Sequence, residues 1–199
     1  MGNTVLISMS KQIKTKTELR RTLRQQRHLL SPVIQAKASQ DIVQHILNLP
    51  IFQQSAQIAL YFPFDNEVDI TALLSVPEKQ FYLPVITDSL QLLFAHYLPG
   101  EPLTPNRFGI NEPVSQHYCP ATALDLVCMP LVGFDVQGDR LGTGAGYYDR
   151  TFAFKQNLPL KPYLLGIAYE CQKATDLPRD EWDVKVWGVQ TEVKLYQSI

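Results

Sequence analysis

Arg140, glycines at 142, 144 and 146, the Tyr147-Tyr148 pair and Asp149 stand within ten consecutive residues, a set suited to holding a phosphate chain. Glycines at alternate positions let the backbone reach positive φ and leave no Cβ between its N–H groups and an anion. Arg140 adds a fixed cation with planar donors, and Asp149 adds the oxygen that a hard divalent metal takes beside phosphates. The apolar run Leu126-Val127-Cys128-Met129-Pro130-Leu131-Val132 reads as a buried strand ahead of the loop. A helical pattern follows to about Phe154, and its start would present a positive dipole end. No Gly-Lys-Ser/Thr closes the loop and its spacing is not GxGxxG, so it is neither a Walker A loop nor a dinucleotide fingerprint. A plain strand-to-helix turn would explain the glycines. It would have no use for an aromatic pair flanked by charges.

The elements that must position this loop are legible on either side of it. Thr15-x-x-Glu18 matches a capping box, opening a helix that runs to Leu30. Lys16, Arg20, Arg24 and Arg27 fall on one stripe of it, beside Leu19, Leu23 and Leu30. Lys16 and Arg20, one turn and about 6 Å apart, can converge on a single phosphate chain, or the stripe is simply a solvated basic face. Ser31 and Pro32 start a second helix, carried by Ile42, Val43, Ile46 and Leu47 and closed before Pro50; its His45 reads as a surface or packing residue. A buried strand, Gln57 to Phe62, ends at Pro63, so the loop from Phe64 to Asp69 lies where open α/β sheets bind ligands. Asp69 reads as a cap for a short helix from Ile70 to Leu74; Glu67 has no such duty.

Residues 80–86 and 91–97 read as a hairpin, which makes the sheet mixed. Four prolines, at 99, 102, 105 and 113, leave residues 98–123 mostly irregular. A strand from Tyr163 to Tyr169 and a last extended segment from Val186 to Tyr196 complete the pattern.

The 199 residues suit one domain over 14–199, after a poorly ordered leader over residues 1–13. Eighteen basic against nineteen acidic residues give a net charge of -1, which disfavours a nucleic-acid or anionic-membrane partner. Three widely spaced cysteines, 119, 128 and 171, argue against a disulfide framework or zinc site and suit a reducing cytoplasm. Val5-Leu6-Ile7 precedes basic residues, the reverse of a signal peptide, and no apolar run reaches spanning length. The expectation is a cytoplasmic monomer acting on small molecules.

The run Arg140-Leu141-Gly142-Thr143-Gly144-Ala145-Gly146-Tyr147-Tyr148-Asp149 resembles the signature of the 5-formyltetrahydrofolate cyclo-ligases, or methenyltetrahydrofolate synthetases. Lys16-x-x-Leu19-Arg20, Tyr61-x-Pro63-x-x-x-Glu67-Val68-Asp69, Phe94-x-x-Tyr97 and Gly109-Ile110-Asn111-Glu112-Pro113 add to the resemblance, which spans residues 16 to about 192. It implies a three-layer α/β/α fold with a mixed, mainly parallel sheet, of the NagB/RpiA/CoA-transferase-like kind. It implies an ATP- and magnesium-dependent closure of 5-formyltetrahydrofolate to 5,10-methenyltetrahydrofolate, with release of ADP and phosphate.

By the same resemblance, Lys16, Arg20 and residues Arg140 to Tyr148 contact ATP, with Arg140 and Tyr148 catalytic. Phe62, Glu67 and residues Thr143 to Tyr147 contact the folate, and Asp149 and Asp183 associate with Mg2+. The aromatics at 94, 97 and 108 could line a pterin pocket, although core packing suits most of them better. The family commonly has His-Asp near Asp183 and a further aspartate four residues on. Trp182 and Trp187 occupy those two positions here, which leaves Asp183 without its usual acidic companion. Phosphoryl transfer of this kind rests on positioning and charge neutralisation, so no side-chain nucleophile is needed. A sugar-phosphate isomerase of similar fold and an RNA-binding module using the basic helix are the other readings.

Overall fold

The computed structural model describes residues 15–156 and 161–198. The expected leader over residues 1–13 lies outside them. The chain opens with α1 (Lys16–His28), where Thr15 and Glu18 form the capping box read from the sequence, and α2 (Pro32–Leu47), capped by the Ser31 hydroxyl with Pro32 in its first turn. A short α3 (Pro50–Gln54) leads into β1 (Gln57–Ala59). The ladder of β1 is shorter than the apolar run. Leu60 still donates to the Tyr82 carbonyl at 2.9 Å, after which the chain leaves the sheet. Asp69 accepts from the Thr71 N–H and hydroxyl at 2.8 and 2.6 Å, so it serves the local turn, which is a 3-10 helix over Thr71–Ser75.

The hairpin β2 (Gln80–Ile86) and β3 (Leu92–His96) forms as expected. The proline-rich stretch after it is more ordered than its composition suggests. It folds into the small antiparallel pair β4 (Leu103–Pro105) and β5 (Asn111–Pro113), then β6 (Tyr118–Cys119), which pairs with β3. Next come β7 (Leu126–Pro130), a second small pair of β8 (Gly133–Phe134) and β9 (Arg140–Leu141), and α4 (Tyr147–Thr151). β10 (Tyr163–Ile167), β11 (Gly188–Gln190) and β12 (Leu195–Gln197) follow. The single extended segment expected over residues 186–196 is therefore two antiparallel strands.

The main sheet has eight strands in the order β12-β11-β10-β7-β1-β2-β3-β6. The five from β11 to β2 are parallel, and β12, β3 and β6 are antiparallel additions at the margins. Alternation along the central strands builds two cores, since successive side chains point to opposite faces. Ile58, Leu126, Cys128, Leu165 and Ile167 pack under Ala38, Ile42, Val43 and Ile46 of α2. Ala59, Val127, Met129 and Leu164 face the other way, onto Phe94, Phe134, Phe152 and Val186. The result is a three-layer α/β/α fold with a mixed, mainly parallel sheet.

Candidate active site

A cavity of about 630 Å3 opens where β1, β2 and β7 end, walled by Tyr61 and Phe62 after β1, Pro84 and Ile86 of β2, and Pro130 of β7. Every residue the sequence singled out for binding or catalysis reaches it: Lys16, Arg20, Phe62, Glu67, Arg140, Leu141, the loop from Gly142 to Gly146, Tyr147, Tyr148, Asp149 and Asp183.

The glycine loop does not follow its strand directly. The β8–β9 hairpin intervenes, turning at Gly138 (φ 80°) with Asp135 Oδ1 accepting from the Gln137 and Asp139 N–H groups at 2.9 and 3.1 Å. β9 places Arg140 with its side chain only 5% exposed. Its Nε donates to the Val184 carbonyl at 3.0 Å and its Nη2 to Asp149 Oδ1 at 2.5 Å. The Val184 N–H donates to the same carboxylate oxygen at 3.1 Å. Asp149 is thus paired with Arg140, not with its neighbour Arg150, which donates instead to the carbonyls of Leu90 and Ala145.

Gly144 (φ 112°) and Gly146 (φ 70°) sit in the left-handed region where a side chain would strain the turn. A Cβ on Gly144 would lie 3.4 Å from Arg20 Cζ, so the loop rests on that guanidinium, whose Nε donates to the Gly142 carbonyl at 2.9 Å. The helix after the loop is shorter than expected. α4 has five residues before the chain tightens into a 3-10 turn over Ala153–Gln156, so the loop's N–H groups and cations outweigh any helix dipole.

Lys16 reaches across from α1 to Asp180 at 2.7 Å and Asp183 at 2.6 Å, and the Asp180 N–H donates to Asp183 Oδ2 at 2.8 Å. Burial works against the Lys16 charge, but the hydrogen bonds and charges of the two aspartates prevail and raise its pKa. Asp180 was not singled out from the sequence, because nothing local marks a partner 164 residues from Lys16.

The small β4–β5 pair also contributes Asn106, Phe108, Ile110, Asn111 and Glu112 to the cavity lining. Arg107, in the turn between β4 and β5, donates to the Tyr147 hydroxyl at 2.9 Å, tying that turn to the glycine loop. Glu112 Oε1 accepts from the Ile86 N–H at 3.0 Å and Asn106 at 2.7 Å, so it braces the small pair against β2. Phe94 and Tyr97 are buried in the core, whereas Phe108, 48% exposed, and Trp182, 66% exposed, stand at the rim.

On the opposite wall, Glu67 Oε2 accepts from the Phe64 N–H at 3.1 Å, while the Glu67 N–H donates to the Phe64 carbonyl at 3.0 Å. Burial raises the Glu67 pKa from 4.5 to about 7, against the pull of the Phe64 N–H and of Arg27 and Arg24. Burial also pushes the Tyr61 and Tyr148 hydroxyls well above their usual range, and the Glu67 charge adds to it. Both phenols therefore stay protonated at neutral pH, and the Tyr61 hydroxyl donates to the Val68 carbonyl at 2.8 Å.

Asp149 and Asp183 line the same cavity, each with one oxygen taken by a cation. No three His, Cys, Asp or Glu side chains cluster for a metal among the described residues. That donor set fits an ion shared with phosphates and water, as Mg2+ usually is, and not one caged by protein alone.

No helix among the described residues is long and apolar enough to cross a membrane. The 5-formyltetrahydrofolate cyclo-ligase family model matches residues 12–192. The 5-formyltetrahydrofolate cyclo-ligase of Haemophilus influenzae is 40% identical over 87% of this chain and 96% of its own. That of Escherichia coli K12 is 34% identical over 88% and 99%. Among solved structures, the 5,10-methenyltetrahydrofolate synthetase of Aquifex aeolicus superposes with a TM-score of 0.78, at 33% identity over 92% of each chain. That of Mycoplasma pneumoniae gives 0.71, at 27% identity over 90% of this chain and 99% of its own.

Proposed function

The chain belongs to the 5-formyltetrahydrofolate cyclo-ligase family, and we propose that it uses ATP and Mg2+ to close 5-formyltetrahydrofolate to 5,10-methenyltetrahydrofolate, releasing ADP and phosphate. The family displaces the isomerase and RNA-module readings. The observation that carries the proposal is the convergence of the glycine loop, the Arg140–Asp149 pair and Glu67 on one cavity at the sheet's carboxyl edge.

The formyl oxygen is a poor leaving group. Its attack on the γ-phosphorus expels ADP and converts it into a phosphate ester, which leaves as inorganic phosphate once N10 bonds the same carbon and gives up its proton. The loop N–H groups, Lys16, Arg20 and Arg140 meet the phosphate charge from fixed positions, which is where most of the assistance to such a transfer lies. Tyr148, protonated and beside the loop, donates to an oxygen that gains charge. Phe62 supplies an apolar wall, and Glu67 as carboxylate accepts from the amino-pyrimidine edge of the folate. Asp149 and Asp183 would hold magnesium, which when bound neutralises phosphate charge.

The test is absorbance of the methenyl product with purified protein, ATP, Mg2+ and 5-formyltetrahydrofolate. Absorbance that rises only when all three are present is the expected result. No rise over a range of pH and metal removes the proposal.

A further inference from the structure

Glu67 hangs from a tight turn. Asp65 and Asn66, which immediately precede it, both take left-handed backbone angles (φ 52° and 60°), and the Glu67 N–H closes the turn on the Phe64 carbonyl at 3.0 Å. Asp and Asn adopt this conformation more readily than other residues with a Cβ, so the turn itself is local and its orientation is set by its surroundings. Here the surroundings are the last two turns of α1, which converge on the Asp65 carboxylate. Arg27 Nη2 lies 2.7 Å from Oδ2, His28 Nε2 lies 2.8 Å from Oδ1, and Arg24 Nε approaches Oδ2 at 3.9 Å.

Arg27 is the odd member. Its side chain is 1% exposed, and its Nε and Nη1 have no hydrogen-bond partner among the described residues. A guanidinium buried so incompletely satisfied is expensive to keep, and an apolar residue of similar volume would pack at least as well. Core stability alone does not account for it. Among the described residues its side chain bonds to Asp65, in the turn under Glu67.

We infer that Arg27 and Asp65 are positioning residues that fix the Glu67 carboxylate at the folate wall of the cavity, with α1 acting as the anchor. The inference rests on the reading of Glu67 as a folate contact. The charges facing Glu67 are consistent with the arrangement. Arg27 and Arg24 on α1 favour its carboxylate, Asp65 on its own loop opposes it, and the Tyr61 and Tyr148 hydroxyls lie close enough to feel its charge. Arg27 therefore holds the turn and also favours the ionised form of the side chain the turn carries.

The test uses Arg27→Met, which keeps volume, and Asp65→Asn, which keeps both an acceptor oxygen and a tolerance for the left-handed turn. Each full-length variant is checked for folding by circular dichroism, and KM is measured separately for ATP and 5-formyltetrahydrofolate. Arg27→Met should raise the folate KM about tenfold and leave the ATP KM within about twofold, because only the folate wall moves. Asp65→Asn should give the same split at smaller size.

The second readout needs no turnover: a carboxyl NMR titration in which Glu67 titrates at higher pH in Arg27→Met than in the parent. Folded Arg27→Met with both KM values unchanged, or both raised equally, overturns the inference. So does an unmoved Glu67 titration. If Arg27→Met does not fold, Asp65→Asn alone decides by the same criteria. A parent protein that turns over no folate, but whose Glu67 titration shifts as expected, would remove the proposed reaction and leave the anchoring intact.

Discussion

The two walls of the cavity are built on opposite electrostatic plans. On the glycine-loop wall, Arg140 is matched with Asp149 and Lys16 with Asp180 and Asp183, and Arg20 is held by the Gly142 carbonyl. On the other wall, Glu67 has a single backbone donor among the described residues and sits where burial disfavours its charge. The difference teaches what each wall is prepared for. A polyanion such as a nucleotide meets cations whose geometry is set beforehand, so little reorganisation is needed at the moment of transfer. A ligand bearing amino donors meets a carboxylate short of partners, and its binding supplies them. Pairing suits the charged ligand and deprivation suits the polar one.

Breaking the matched wall should have the largest effect. Arg140→Ala strips Asp149 of its cation and Val184 of a donor, at a side chain almost wholly buried. We expect stability to fall by about 3 kcal/mol, as for breaking a buried pair, and turnover by at least about 100-fold. Calorimetric melting and steady-state rates on one preparation check both. A variant that keeps its melting temperature and its rate would show that the pair is decorative.

Glu67→Gln sharpens the comparison from the other side. Folate KM should rise by roughly 10- to 100-fold while ATP KM stays put, because a charge-assisted acceptor becomes a neutral one. Stability should move the opposite way. Between pH 4.5 and about 7 the folded chain keeps on Glu67 a proton that the unfolded chain has released, so this group lowers stability as pH climbs through that window. At pH 8 the glutamine variant should melt higher, by on the order of 2 kcal/mol of stability, and at pH 4 the advantage should vanish. Equal melting curves at both pH values would mean that Glu67 is not short of partners.

The same titration sets a smaller effect in the unaltered protein. With a carboxylate that ionises near pH 7, folate KM should rise about tenfold from pH 8 to pH 6, while direct ATP binding, followed by calorimetry, changes little. Glu67→Gln should flatten the folate dependence. The smallest effect on rate is expected of Asp149→Asn, which keeps an acceptor for Arg140 and Val184 but removes one charge beside the phosphates and leaves the buried Arg140 without its counter-charge. It should need several-fold more magnesium for half-maximal rate, of the order expected when one of two carboxylates is lost. An unshifted magnesium titration with parental turnover would take Asp149 out of metal binding.

What the sequence discloses follows from how far apart the cause and its effect lie along the chain. The capping box at Thr15 and Glu18, the apolar run from Leu126 and the basic stripe of α1 are local signals, and each appears where it was expected. The β4–β5 pair was hidden because its prolines at 102, 105 and 113 suppress strand propensity while leaving edge pairing possible. The β8–β9 turn was readable in principle, since Asp135 and Gly138 are turn residues, but the glycines beyond it are a louder signal. The Lys16 pairs with Asp180 and Asp183, the Arg107 bond to Tyr147 and the inward course of Arg27 all depend on segments brought together only by folding. Periodicity puts Arg27 on the same stripe as Lys16. Only the packed loop shows that one faces the cavity mouth and the other the interior.

The antiparallel margins of the main sheet have a consequence for how the protein behaves at high concentration. β6 is two residues long and β12 three, whereas the parallel strands between them are apolar and buried. An exposed strand edge is a template for association, and a stub offers it only one or two rungs. β12 in particular covers β11, every residue of which is buried. β12 therefore acts as a selvedge, a finished border that keeps an aggregation-prone weave from catching on its neighbours.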